Sequence, residues 1–116
     1  MSHSDCLFCR IVAGEIPSTQ VHNDAEVVAF RDIEPRAPVH VLLIPRQHVR
    51  SAAELGEDSG PFLGHLLAVA NEIAEREGIA ESGWRLVTNV GPDSGFTVPH
   101  LHFHLMGGRQ FTWPPG

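Results

Sequence analysis

The sequence predicts a single α+β domain with a mostly antiparallel five-stranded sheet, one main helix and a short N-terminal helix. Its length of 116 residues matches one ordinary domain and leaves little room for a second. Five short segments carry strand patterns, whereas only one long segment has a helical period. Rossmann and P-loop arrangements do not fit, because the chain has neither of their glycine-rich motifs.

Two segments predict helices. Residues 6–13 form a compact apolar segment that ends at Gly14, and Asp5 stands where an N-cap is expected. Between residues 58 and 78, apolar side chains recur at helical spacing, so we expect this helix to cover one face of the sheet. Its apolar stripe comprises Phe62, Leu66, Val69, Ala70 and Ile73.

Five segments predict the strands. The first two are separated by the turn residues Asn23 and Asp24, which predicts a hairpin. The third is apolar and lies between prolines, as expected for a strand that is buried on both faces. The last alternates histidines with apolar residues. The five segments are 19–22, 26–33, 39–44, 84–90 and 98–106.

Charge and hydropathy argue against several classes of protein. The net charge is −6 and the isoelectric point about 5.7, which is unsuited to binding polymeric nucleic acid. The longest apolar stretch, 39–44, is far too short to span a bilayer. Residues 1–5 lack the features of a signal peptide and are expected to form a flexible tail. We therefore expect a cytoplasmic protein with no membrane or nucleic-acid polymer as partner.

Three histidines alternate along the last predicted strand. The strand period of two places His100, His102 and His104 on one face. At about 3.3 Å per residue, the outer two lie roughly 13 Å apart, which is too far for one tetrahedral metal ion. The central His102 suits a nucleophile or base whose neighbours move protons and hold anionic oxygens, as phosphorus chemistry requires. The histidines in the tail, near the first turn and on the flank of the main helix are expected on the solvated surface: His3, His22 and His65.

The motif His-Leu-His-Phe-His-Leu-Met at residues 100–106 resembles the signature of the histidine triad (HIT) superfamily. Residues 30–40, 44–48, 107–110 and the terminal Trp-Pro-Pro-Gly resemble its Hint branch, the purine nucleoside phosphoramidases. The resemblance covers nearly the whole chain from Cys6 to Gly116. It implies a HIT-like fold over residues 1–116, and a homodimer whose two sheets join, with the tail 107–116 at the dimer interface.

The resemblance also implies a reaction. A nucleotide-binding hydrolase would cleave nucleoside 5′-phosphoramidates, or acyl-nucleotidylates, to a nucleoside monophosphate. His102 would attack the α-phosphorus, and water would hydrolyse the nucleotidyl-histidine intermediate. No cofactor would be required for catalysis. The implied catalytic residues are His40, Thr97, His100, His102 and His104.

A purine nucleotide of the AMP or GMP type is the implied ligand. Asp32 would bind the ribose hydroxyls, and small residues in the loop 91–95 would let backbone N–H groups approach the phosphate. Without the resemblance, Asp32 only ends a strand, the loop is only a turn, and Trp113 is a packing anchor. The implied nucleotide-binding residues are Phe30, Asp32, Ile33, Asn89, Gly95, Thr97, His102, His104 and Trp113.

Cys6 and Cys9 have the C-x2-C spacing, which is half of a common zinc site. The spacing alone leaves open a zinc site, a redox dithiol and two buried thiols. The resemblance, to bacterial-type members that carry this N-terminal motif, implies a structural zinc bound by Cys6, Cys9, His48 and His100. In that case His100 would orient the strand that bears His102 and would not carry protons.

Three other functions remain open from the sequence. A dinucleoside polyphosphate hydrolase would share the fold, although the Trp-Pro-Pro-Gly ending favours the Hint branch. A nucleotide-binding or protein-interaction module with incidental turnover would not require all three of His100, His102 and His104. A catalytic zinc hydrolase would use the histidines and the cysteine pair, and a chelator would distinguish it from the leading hypothesis.

Overall fold

The computed structural model describes residues 5–95 and 98–116. Within these ranges it contains one five-stranded sheet in the order β1-β2-β3-β5-β4, in which all neighbours are antiparallel. The α+β class with one main and one short N-terminal helix is confirmed. None of the helices described is long and apolar enough to cross a membrane. The elements are α1 (Leu7–Val12), β1 (Gln20–Asn23), β2 (Val27–Arg31), β3 (Val39–Pro45), α2 (Gly60–Arg76), β4 (Trp84–Val87) and β5 (Phe103–Gly107).

The central strand β3 organises the sheet. All of its residues are buried, as the sequence predicts, and it pairs with β2 on one side and β5 on the other. In the register with β5, His40 lies opposite Met106 and Leu42 lies opposite His104. This register brings His40 and His104 together on adjacent strands, because side chains two residues apart share a face.

Two apolar clusters cover the two faces of the sheet. Helix α2 packs Leu66 and Ile73 against a cluster that includes Leu43 and Leu105, which confirms its predicted role. On the other face, the short helix α1 contributes Phe8 and Ile11 to a second cluster. Each such side chain stabilises the fold by about 1.5–3 kcal/mol when fully buried. Leu42 belongs to this second cluster and lies opposite His104 in the sheet. Helix α1 therefore lies on the face of the sheet that carries His104.

The strands before and after the loop 91–95 are both shorter than the sequence predicts, at the ends nearest the loop. Strand β4 ends at Val87, and β5 begins only at Phe103, so His100 and His102 precede the strand. The physical reason is a change of hydrogen-bond partner, since the Leu101 N–H donates to the Val49 carbonyl at 2.6 Å. The helical cap also differs from the prediction: the Cys6 thiol, not Asp5, accepts from the Cys9 N–H at 3.2 Å.

Asp24 joins the turn between β1 and β2 to helix α2. One of its oxygens lies 2.6 Å from His22 Nε2 and 2.7 Å from His65 Nε2, and the other accepts two backbone N–H groups. Burial acts to raise the pKa of Asp24, but these hydrogen bonds outweigh it and hold that pKa well below the ordinary value. The expectation of a solvated surface position is wrong for His22, whose side chain is 18% exposed, whereas the His65 side chain is 39% exposed and also contacts Asp24. His3 lies outside the described residues.

We predict that Asp24→Asn lowers the free energy of unfolding by about 1–3 kcal/mol at neutral pH, because several donors lose an ionised acceptor. A carboxyl whose pKa is lowered by folding contributes stability above its unfolded value of 3.8, and this contribution is lost as the pH falls below it. Urea unfolding of both proteins at about pH 7 and about pH 3 should therefore show a smaller difference in acid. The exposed Asp93→Asn is the control, and an equal difference at both pH values would contradict this prediction.

Candidate active site and metal-ligand cluster

Strands β3 and β5 bring together two histidines whose tautomers the hydrogen bonds determine. The Arg36 N–H donates to His40 Nδ1 at 3.0 Å, so the proton of neutral His40 is on Nε2. That nitrogen lies 2.9 Å from His104 Nδ1, which must then accept. Neutral His104 consequently carries its own proton on Nε2, where it can be donated. A carboxylate oxygen of Asp32 lies 3.4 Å from His40 Nε2.

His102 has the opposite tautomer. Its Nδ1 lies 2.7 Å from the carbonyl oxygen of His100, and because a carbonyl can only accept, Nδ1 carries the proton. The lone pair of Nε2 is then free for a nucleophile or base. The rings of His102 and His104 have centroids 5.1 Å apart. The site thus places an imidazole lone pair next to an imidazole N–H donor.

Burial favours the neutral form of His104 and His40. It lowers the pKa of His104 to about 4, assisted by His102 and His40, and Asp32 acts in the opposite direction. Burial also lowers the pKa of His40, with Asp32 opposing the shift and Arg36 adding to it. Near neutral pH the pair can therefore orient and transfer protons without carrying a permanent charge.

One cleft of about 280 Å³ contains five of the predicted site residues. One wall is apolar, and the edge of Phe8 packs against the rings of Phe30 and His102, with centroids 5.5 and 5.2 Å away. The sequence pattern does not predict that Phe8 lines the site; it places Phe8 only in an apolar helix. The predicted residues in the lining are Phe30, Asp32, Ile33, His102 and His104; Leu7, Phe8, Ile11, Ile16, Leu42 and Val98 were missed.

Three other predicted nucleotide-binding residues, Asn89, Gly95 and Trp113, are described by the structure and are not in the lining of this cleft. Asn89 is half-buried just beyond β4, and Gly95 has a φ of 84°, a conformation that favours glycine. Trp113 is 83% exposed, in a tail whose Phe111 lies beneath the guanidinium groups of Arg85 and Arg109. Thr97 lies outside the described residues.

A second cluster unites the four predicted metal ligands. His100 Nδ1 lies 3.2 Å from Cys6 Sγ and 3.4 Å from Cys9 Sγ, and His48 Nδ1 lies 3.3 Å from Cys9 Sγ. All four ligand atoms lie within 4.8 Å of one another. Two sulfurs and two imidazole nitrogens form a donor set that suits tetrahedral Zn²⁺, so the residues fit that ion.

Burial of the cysteine pair disfavours a thiolate without a partner of positive charge. Burial, with the neighbouring Cys6, raises the pKa of the Cys9 thiol to about 12. A buried thiolate needs a compensating positive charge, and metal binding at this site would release its proton. His100 belongs to this cluster and His104 to the other, as the predicted separation of the two side chains requires. The two clusters meet at His100, whose carbonyl holds His102.

Comparison with known proteins places this arrangement in a family. The HIT domain model matches residues 13–111. The chain belongs to the HIT family. A crystal structure of a HIT family hydrolase from Legionella pneumophila Philadelphia 1 has a TM-score of 0.93 and 49% identity, and the match covers 96% of this chain and 99% of that one.

Two plant proteins are similar over nearly the whole chain. A protein of Arabidopsis thaliana named adenylylsulfatase HINT1 is 48% identical, with 99% of this chain and 79% of the relative covered. A 14 kDa zinc-binding protein of Zea mays is 46% identical, with 100% and 91% covered. This HIT protein is a hydrolase of the superfamily, which confirms the predicted fold and enzyme class.

We predict that His104 titrates near pH 4 in the folded protein, well below the ordinary value of 6.5, and NMR of its ring nitrogens measures this directly. Since folding lowers this pKa, the folded chain binds fewer protons than the unfolded chain between those values. Its contribution to stability is complete above pH 6.5 and falls as the pH drops towards 4. His104→Gln should flatten the pH dependence of unfolding in that range, and a midpoint near 6.5 would contradict the prediction.

Proposed function

We propose that this HIT protein hydrolyses nucleoside 5′-phosphoramidates to a nucleoside monophosphate and an amine. The observation that carries the proposal is the pair of complementary tautomers in the lining of one cleft: His102 with an unprotonated Nε2 and His104 with an Nε2–H, on rings whose centroids lie 5.1 Å apart. A phosphoramidate requires these two groups, a nucleophile for phosphorus and a proton for the departing amine.

The reaction proceeds in two displacements. His102 Nε2 attacks the α-phosphorus, the P–N bond breaks, and the amine leaves with a proton from His104. Water then attacks the nucleotidyl-histidine and gives up one proton, which restores the Nε2–H of His104; the bond between phosphorus and His102 Nε2 breaks, and the nucleoside monophosphate is released. His40 holds the tautomer of His104 through the 2.9 Å contact between the two rings, and Asp32 lies 3.4 Å from His40 Nε2. The backbone carbonyl of His100 stabilises the positive charge that develops on His102.

The cleft accommodates the nucleoside beside these histidines. Phe30 and Ile33 form an apolar wall for the purine of an AMP- or GMP-type nucleotide, and Ile33 is 95% exposed and therefore open to a ligand. The Asp32 carboxylate, in the same lining, is placed to accept from the ribose hydroxyls. Asn89, Gly95 and Thr97 are assigned to the phosphate, on the grounds of the family resemblance.

An adenylyl sulfate is a second candidate substrate, because the similar Arabidopsis protein is named an adenylylsulfatase. Attack by His102 would be the same, but sulfate leaves without needing a proton. His104 would then be less important than it is for an amine. Dinucleoside polyphosphates and acyl-nucleotidylates present the same α-phosphorus and belong in the same substrate panel.

Two further features accompany the proposed function. Cys6, Cys9, His48 and His100 hold a structural zinc ion, in keeping with the name of the maize relative. Zinc there would tie α1, with Phe8, to the segment that bears His102. The chain also forms a homodimer through β4, which pairs with β5 alone at the edge of the sheet, with the tail 107–116 at the interface.

We predict that the purified protein releases AMP from adenosine 5′-phosphoramidate, that turnover survives a strong chelator, and that His102→Asn abolishes it by at least about a thousandfold. Product chromatography measures the rates. Adenylyl sulfate and a dinucleoside polyphosphate, assayed in parallel, rank the alternatives. His104→Gln should reduce turnover of the phosphoramidate more than that of adenylyl sulfate. Failure of the wild type on the phosphoramidate would refute this substrate assignment.

We also predict that the protein binds about one zinc ion per chain and that Cys9→Ser and His48→Gln lose it, as elemental analysis would measure. His102→Asn is the matched control, because that residue is outside the four-ligand set and should retain zinc. Equal zinc content in all variants would show that the ion is held elsewhere.

A further inference from the structure

Thr88, the residue after β4, contacts the backbone of the proposed nucleophile His102. The Thr88 hydroxyl donates a hydrogen bond of 2.8 Å to the backbone carbonyl of His102. The backbone ladder between β4 and β5 ends at the pair Val87 and His104. The Thr88 side chain thus supplies a hydrogen bond between the two segments just beyond the point where the ladder stops.

The backbone of His102 is held on both sides by this arrangement. On the preceding side, the Leu101 N–H donates to the Val49 carbonyl at 2.6 Å. On the following side, the Thr88 hydroxyl holds the carbonyl of His102 itself. Residue 102 lies outside regular secondary structure, so these two hydrogen bonds act where strand pairing does not.

The orientation of the His102 ring depends on that backbone. Its Nδ1–H reaches the His100 carbonyl at 2.7 Å only while residues 100 and 102 keep their relative positions. A displacement of residue 102 relative to residue 100, which the Thr88 hydrogen bond opposes, would weaken this contact and allow the other tautomer, in which Nε2 is protonated and cannot attack. Thr88 also precedes Asn89, so the same contact relates the nucleophile to a residue assigned to the phosphate.

We propose that Thr88 is a positioning residue for the reaction, which holds His102 in the tautomer and orientation that expose its Nε2 lone pair. The role rests on the proposed function of His102 as nucleophile. Thr88 acts through the backbone carbonyl of His102 and does not itself touch the substrate. A β-branched side chain without a hydroxyl would fill the same space and would not hold the carbonyl.

The test compares Thr88→Val, which removes the hydroxyl and keeps the shape, with Thr88→Ser, which keeps the hydroxyl. The first readout is the tautomer of His102 from its ring nitrogen chemical shifts, recorded without substrate. The wild type and Thr88→Ser should show a proton on Nδ1 alone, whereas Thr88→Val should show a mixture. Thr19→Val, at an exposed threonine before β1, is the matched control and should match the wild type.

The second readout is turnover of adenosine 5′-phosphoramidate. Thr88→Val should lower kcat about fivefold with little change in KM, the size expected for losing one hydrogen bond, and Thr88→Ser should restore it. An unchanged His102 spectrum in Thr88→Val overturns the proposal, as does an unchanged kcat. If the wild type does not turn over this substrate, the proposed function fails, and the spectra alone decide the role of Thr88.

Discussion

The chemistry of the site depends on one hydrogen bond, between His102 Nδ1 and the carbonyl of His100. In a regular strand the carbonyl of His100 would point sideways into the ladder, away from the side chain two residues later. Residues 100–102 leave the sheet, so this carbonyl is available to the ring. The local loss of strand structure is therefore what gives His102 a single tautomer and a free Nε2.

The same constraint explains why two clusters with different chemistry lie so close together. The ring of His100 is fully buried against the cysteine thiols, with Nε2 on the Pro45 carbonyl, while its backbone serves His102. One residue thus joins a soft-ligand cluster to the imidazoles of the cleft. Because the side chain and the carbonyl of His100 have separate partners, its ring can bind a metal ion without competing for protons with His40 and His104.

The sequence predicts the fold well and the site in part. Apolar periodicity is enough to place β3 and α2, since burial on both faces or on one stripe leaves a clear pattern. The same alternation overextends the last strand to residue 98, because it records side-chain burial and carries no information about backbone partners such as Val49. The burial of Phe8 against His102 could not be predicted either, since it requires the placement of α1 over the histidine face.

Asp32 has a contact that the sequence does not indicate. The family resemblance assigns this residue to the ribose hydroxyls, and without the resemblance it only ends a strand, but the structure also places its carboxylate 3.4 Å from His40 Nε2. A carboxylate so near a buried imidazole favours the protonated ring, while burial of His40 and His104 disfavours it. The two effects oppose each other at one pair of rings, and burial prevails at both, so each ring is neutral and carries a single N–H. This balance, and not the number of histidines in the row, is what would let His104 pass its Nε2–H to the leaving group in the proposed reaction.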